Sequence, residues 1–203
     1  MNSRLSGSEE ALATLTCQRL ANAAPLRVLV GGLGMGFTLR ALQKALVLDA
    51  QIDVAELVPA VVAWARGPLA SVFADSLDDP RVEIVVTDVL DLIRAAPKSY
   101  DAILLDVDNG PEGLTRAAND SIYEHRGLAE IYAALRSGGV LSVWSAEPNR
   151  SFTQRLKQAG FSVEEVTVRA DRGKRGTRHT IWLAKRCGRT SSGVPKQLNR
   201  TKA

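Results

Sequence analysis

The chain has 203 residues, 45% hydrophobic and 24% charged, which suffices for one sizeable buried core and is short for two. It holds neither the roughly 18 consecutive apolar residues of a membrane span nor the apolar core of a secretory signal, so a cytoplasmic location is expected. The formal charge of +4 resides in the last segment, where Lys185, Arg186, Arg189, Lys196, Arg200 and Lys202 occur without an acid; the rest carries −2, which excludes a strongly basic folded surface.

Taken in chain order, Ser8 followed by Glu9 and Glu10 reads as a capped helix start. Leu12, Leu15 and Leu20 continue it towards Asn22, giving an N-terminal helical extension over 1–24. Leu26 to Val30 reads as a buried parallel strand, and a helix is expected over Phe37 to Val47. Gln51 to Glu56 is the second strand, with Pro59 suited to the first turn of the next helix. Val82 to Val86 and Tyr100 to Asp106 are further strands, separated by a short helix near Leu90 to Ala95. A helix from about Asp120 to Leu135 is expected to stop at Gly138 and Gly139, before a strand at Val140 to Trp144. Ser151 to Ala159 is helical. Phe161 to Arg169 and His179 to Ala184 follow without an intervening helix and read as an antiparallel hairpin. Trp64, Trp144 and Trp182 each adjoin an apolar run and are expected to pack against the core.

Alternating strands and helices closed by such a hairpin define an α/β, Rossmann-like class I methyltransferase fold. The expected architecture is a mostly parallel seven-stranded sheet, helices on both faces, over 25–186. Residues 187–203 read as a basic, disordered tail, the one place where weak nucleic-acid binding is expected.

The chemistry gathers at strand ends. Gly31, Gly32, Gly34 and Gly36 fall between a strand and a helix, where glycine lets a ligand approach the backbone and a helix N-terminus offers free N–H groups. Glu56, about twenty residues further on, can accept hydrogen bonds from both ribose hydroxyls. Asp88 ends the third strand, where it could accept from an adenine amine, and Asp106 ends the fourth, beside the switch point of the sheet. These residues mark a nucleoside crevice. His125, His179, Cys17 and Cys187 lack metal-ligand spacing, so no metal is expected.

The segments VLVGGLGMGFTLRAL, AELVPAVVAWAR, VTDVLD, YDAILLDVDNGP and SIYEHRGLAEIYAALRSGGVLSVWS resemble the spermidine synthase (polyamine aminopropyltransferase) family over residues 26 to 145. The most specific piece is Asp106-Val107-Asp108-Asn109-Gly110-Pro111, which is similar to that family's Asp-x-x-Asp-Pro stretch. The resemblance implies that Glu56 holds a ribose, Asp88 an adenine, and Gly32 and Gly34 the amino-acid-derived part of S-adenosylmethionine or its decarboxylated form. It implies Asp106 as the residue that orients or deprotonates an attacking amine, with Asp108 and Tyr123 as substrate contacts. The family's N-terminal β-rich domain is expected to be absent, since about 25 residues precede the first strand, and the upstream tyrosine-containing acidic motif is missing. Those departures favour methyl over aminopropyl transfer to a small, amine-type acceptor. The alternative left open is a non-catalytic nucleoside-binding or protein-interaction module; a homodimer is the oligomer to test for.

Overall fold

A computed structural model describes residues 6–20, 25–46, 49–107, 110–111, 121–170 and 176–187. Seven strands form one sheet: β1 (Arg27–Gly31), β2 (Gln51–Glu56), β3 (Val82–Val86), β4 (Tyr100–Leu105), β5 (Leu135–Ser145), β6 (Phe161–Arg169) and β7 (Arg178–Arg186). Their order is β3-β2-β1-β4-β5-β7-β6. The first five are parallel, and β7 runs antiparallel to both β5 and β6. The chain starts at the centre, steps outward to β3, then crosses back over β1 to β4. The switch point therefore falls between the carboxyl ends of β1 and β4, where α/β sheets of this kind leave a crevice.

The central strands read as unbroken apolar runs because both their faces are covered. Val28, Leu29 and Val30 of β1 and Ile103, Leu104 and Leu105 of β4 are at most 1% exposed. On one face lie α1 (Gly7–Cys17), α2 (Phe37–Ala45), α3 (Pro59–Arg66) and α4 (Ala70–Phe73), contributing Leu12, Leu39, Leu42 and Phe73. The other face is covered by α5 (Val89–Ala95), α6 (His125–Ala134) and α7 (Arg150–Gln158), through Ile93, Leu128, Ile131, Phe152 and Leu156. The edge strand β6 alternates and turns Glu164 and Glu165 outward, which discourages pairing with another chain.

Three expectations are corrected. Ser6, not Ser8, precedes α1; its hydroxyl donates to Glu10 Oε1 at 2.8 Å, while Ser8 is fully buried one residue inside the helix. Gly138 and Gly139 do not end a helix. That helix stops at Ala134, Leu135 already pairs with Tyr100, and three extra residues are absorbed before Val140 pairs with Ala102. Gly138, at φ +80°, lies in this irregular stretch. Trp64 is 55% exposed rather than in the core, because the buried residue of α3 is its neighbour Ala65. Asp108, the start of the helix expected near Asp120, the hairpin tip 171–175 and almost all of 187–203 lie outside the described residues.

The N-terminal helix is built into the core. Leu12 and Ala13 are completely buried, and Thr16 Oγ1 lies 2.7 Å from Ser142 Oγ of β5. Gly7 N donates to Ala170 O at 2.9 Å, which ties the start of α1 to the end of β6. The first turn of α1 is thereby carried to the carboxyl edge of the sheet.

On the opposite face, Trp182 Nε1 donates to Thr153 Oγ1 at 2.9 Å, and the ring meets Phe152 edge-on at 5.0 Å. Trp182→Ala is expected to cost about 3–5 kcal/mol, and Trp182→Phe about 1–2 kcal/mol for the lost hydrogen bond. Urea unfolding measures both; equal losses would show that packing around the indole contributes little.

Candidate active site

The glycine loop connects β1 to α2. Gly31 closes β1, where a Cβ would sit 3.1 Å from both Leu105 Cδ2 and Val89 Cγ2, so its place is one of tight packing. Gly32 has φ +92°, and a Cβ there would lie 2.6 Å from the carbonyl oxygen of Asp106. Any side chain would push the β1 and β4 ends apart. Gly34, at φ +49°, turns the chain, and Gly36, at φ +71°, precedes α2 where a Cβ would lie 2.5 Å from Cε1 of the Phe73 ring. Glycine at 32 and 36 is thus required by both backbone and space.

Glu56 ends β2 and is 7% exposed. Its Oε2 accepts from Leu33 N and its Oε1 from Val58 N, both at 2.9 Å. One carboxylate therefore fixes the glycine loop to the turn after β2. Each oxygen retains a second lone pair, as a diol acceptor requires. Beside it, Leu57, Val58 and Val86 are 41%, 39% and 50% exposed, and Val86 is the register partner of Glu56. Exposed aliphatic side chains grouped at strand ends are the walls an aromatic base would fill. Asp88 caps α5 by accepting from Leu90 N through Oδ1 at 2.9 Å, which holds the carboxylate at the rim of the same crevice.

Asp106 follows β4 at the switch point, and its backbone N donates to Gly31 O at 3.0 Å. Thr38 Oγ1, in the first turn of α2, donates to Asp106 Oδ2 at 2.8 Å. Burial pushes the Asp106 carboxyl up to about 6; the Thr38 hydrogen bond opposes that rise and the negative charge of Glu9 adds to it. Asp106 is thus a carboxyl poised to hold or release a proton near neutral pH.

Tyr123 is 2% exposed, with its ring edge-on to Phe152 and its hydroxyl 3.5 Å from Val107 O. The group expected to touch substrate thus reaches the peptide just after Asp106, and Arg155 Nε holds Tyr123 O at 3.1 Å.

The structure brings together Gly32, Glu56, Asp88 and Asp106 along one sheet edge, and adds residues not singled out from the sequence. Thr38 was hidden among apolar helix positions; its signal was a hydroxyl two residues after the last loop glycine. Ser8 and Glu9 read as helix-start residues and His179 as the start of the last strand, yet Ser8 Oγ donates to Glu9 Oε2 at 2.8 Å and lies 2.9 Å from His179 Nδ1. Only folding places α1 and β7 side by side.

This sheet order, glycine loop and row of acids define a class I methyltransferase-like, Rossmann-like α/β protein. The fold is shared with a spermidine synthase solved in complex with the transition state analogue AdoDATO (TM-score 0.73, 22% identity, covering 89% of this chain and 61% of that one). It is also shared with the O-methyltransferase TomG of Streptomyces achromogenes, solved with SAM (TM-score 0.61, 19% identity, 89% and 79%). Residues 9–167 match the spermine/spermidine synthase domain, and the chain belongs to that family. The polyamine aminopropyltransferase of Mycobacterium tuberculosis (strain ATCC 25618 / H37Rv) is 34% identical over 151 residues, 70% of this chain and 28% of that protein. Putrescine N-methyltransferase 2 of Nicotiana tabacum is 32% identical over 126 residues, 59% of this chain and 34% of that protein. The chain thus spans about a third of the curated relatives named here. Among these relationships the family model and the aminopropyltransferase relative outweigh the N-methyltransferase one, which runs against the preference for methyl transfer drawn above from the departures from the family's pattern.

An acid whose folded pKa of about 6 exceeds its ordinary 3.8 binds its proton more tightly in the folded state. Its contribution to stability is present below 3.8 and is lost as pH rises through 6. Asp106→Asn is therefore expected to stabilise the protein by about 1–2 kcal/mol at pH 8, allowing for partial exposure, and hardly at all at pH 3.5. Denaturant titrations at the two pH values decide this; a loss of stability at pH 8 would show that the carboxylate is not strained.

Proposed function

We propose that the chain is an aminopropyltransferase that binds decarboxylated S-adenosylmethionine along the glycine loop and transfers its aminopropyl group to an amine. The observation that carries this reading is the carboxyl of Asp106, raised by burial and held by Thr38 at the switch point beside Gly32. Family membership supports an amine as the acceptor. The residues fit the nucleoside: Glu56 offers lone pairs to the ribose hydroxyls, Asp88 an acceptor to the adenine amine, and Leu57, Val58 and Val86 an apolar rim for the base. Asp108 and Tyr123 belong to the acceptor side in this proposal, Tyr123 by holding the backbone after Asp106.

The sulfonium of the donor supplies an activated carbon with a neutral thioether as leaving group. An amine can attack only through a free lone pair, so it must lose a proton before or during the displacement. Asp106 accepts that proton or its hydrogen bond, with a pKa suited to the task near neutral pH. The new C–N bond forms as the C–S bond breaks, its electron pair going to sulfur and the amine proton to Asp106. Thr38 fixes the rotamer of Asp106, and Gly32 sets the distance between donor loop and base. Such positioning supplies much of the acceleration.

Methyl transfer from intact S-adenosylmethionine is the second reading, favoured by the likeness to a putrescine N-methyltransferase. Incubation with putrescine and each donor, followed by mass spectrometry, separates the two. Addition of an aminopropyl group from the decarboxylated donor is the expected result. Asp106→Asn is expected to lower kcat roughly 100-fold or more with unchanged nucleoside affinity, and kcat/KM of the wild type to rise as pH passes about 6. Methylated putrescine from the intact donor would establish the second reading, and no product from either donor would contradict both.

A further inference from the structure

A concavity of different character lies outside the crevice. α1 and α2 run side by side on one face of the sheet and leave between them a groove of about 290 Å³. Glu10 of α1 and Phe37, Arg40, Ala41 and Lys44 of α2 line it; Glu56, Asp88 and Asp106 do not. Arg40 and Lys44 stand four residues apart, about one helical turn, and so share one side of α2. Among the described residues, neither takes part in an ion pair. Glu10 borders the same groove, yet its Oε1 accepts from Ser6 Oγ at 2.8 Å, and it forms no ion pair with either cation.

The Arg40 guanidinium is held in place. Its Cζ lies 4.9 Å from the centroid of the Phe37 ring and 5.9 Å from that of Phe73, and Nη1 donates to Met35 O at 3.0 Å. A guanidinium has five N–H donors, and Met35 O is its only hydrogen-bond acceptor among the described residues. Burial works against its charge, and the charge of Glu10 offsets that only in part. Two like charges one turn apart, one of them partly desolvated and short of acceptors, are satisfied by an anion. A phosphate group matches the pair, since its oxygens can take the guanidinium fork and the ammonium together. The volume approaches that of a small-molecule site, and Phe37 with Ala41 supplies an apolar wall for an organic body.

We propose that the groove between α1 and α2 binds a small phosphate monoester, with its phosphate on Arg40 and Lys44 and its organic part against Phe37 and Ala41, and that this binding tightens the hold of the glycine loop on its nucleoside. The connection runs through Arg40. Met35 lies within the glycine loop, and a Cβ at Gly36 would sit 3.1 Å from Arg40 Nη1, so the guanidinium rests on the loop itself. A phosphate that engages the remaining donors fixes Arg40 where it holds Met35 O, and the loop loses freedom before a nucleoside arrives. By linkage, the nucleoside strengthens phosphate binding by the same factor. The phosphate site stands by itself, whereas its effect on the loop rests on the nucleoside reading given above.

Calorimetric titration of the full chain tests this, with phenyl phosphate, inorganic phosphate and 5′-methylthioadenosine as probes. Phenyl phosphate is expected to bind roughly tenfold more tightly than inorganic phosphate, because its ring is covered by the apolar wall. Lys44→Gln, at an exposed position, should weaken phenyl phosphate roughly tenfold through loss of one charge-assisted contact. Arg40→Lys keeps the charge without the fork, and should weaken phenyl phosphate and abolish the coupling. Saturating phenyl phosphate should raise the affinity of the wild type for 5′-methylthioadenosine about fivefold. No binding of phenyl phosphate, or binding that both variants leave undiminished, as attachment to the basic last segment would give, would overturn the groove as its site. Equal affinity for inorganic phosphate would overturn the organic class, and a nucleoside affinity that phenyl phosphate leaves unmoved or lowers would overturn the coupling. Failure of the nucleoside to bind at all would instead count against the aminopropyltransferase reading, and the two phosphates would still decide the role of the groove.

Discussion

The contact on which the site depends is the approach of Gly32 to the Asp106 carbonyl, too close for a Cβ at 2.6 Å. β1 and β4 are neighbours only because the chain crosses back over β1 after β3, and their ends can meet only if one residue there lacks a side chain. Asp106 N is bonded to Gly31 O and Gly32 N to Ala55 O, so the loop is fixed on both sides by its neighbouring strands. The carboxyl of Asp106 is in this way placed beside a loop that leaves room for a ligand rather than for protein atoms.

From that contact the electrostatics follow. The apolar ends of β1 and β4 withdraw solvent from Asp106, Thr38 supplies a single donor, and the nearby Glu9 adds repulsion. The outcome is a carboxyl raised to about 6, which is unfavourable for folding at neutral pH and useful for proton transfer. Glu56 has a different setting: it accepts from two backbone N–H groups and serves as a fixed strut between the loop and the turn after β2. Two acids at the strand ends on either side of β1 thus acquire different tasks through what surrounds them.

Much of this was readable from the chain alone. Strands buried on both faces leave unbroken apolar runs, so Gln51–Glu56 and Val82–Val86 were bounded correctly, and the missing helix before the last strand revealed the antiparallel hairpin. The acids were visible because each falls where such a run stops. What could not be read depends on distant contacts. Ser8 resembles a helix cap until β7 brings His179 beside it. Gly138 and Gly139 resemble a helix stop until Leu135 pairs with Tyr100. Trp64 looks like a core residue because its neighbours are apolar, although α3 turns it outward. Thr38 stood out only as a hydroxyl beside the glycine loop, and its partner could not be read because Asp106 lies 68 residues away.

The central claim is that one crevice presents Glu56 to a nucleoside and Asp106 to an amine. A crystal structure of the protein with 5′-methylthioadenosine and putrescine tests it most directly. The ribose hydroxyls should lie within hydrogen-bond distance of Glu56, and one putrescine nitrogen within hydrogen-bond distance of Asp106, on the side of the thioether sulfur. A nucleoside seated away from the glycine loop, or an amine that leaves Asp106 bonded to Thr38 alone, would contradict it.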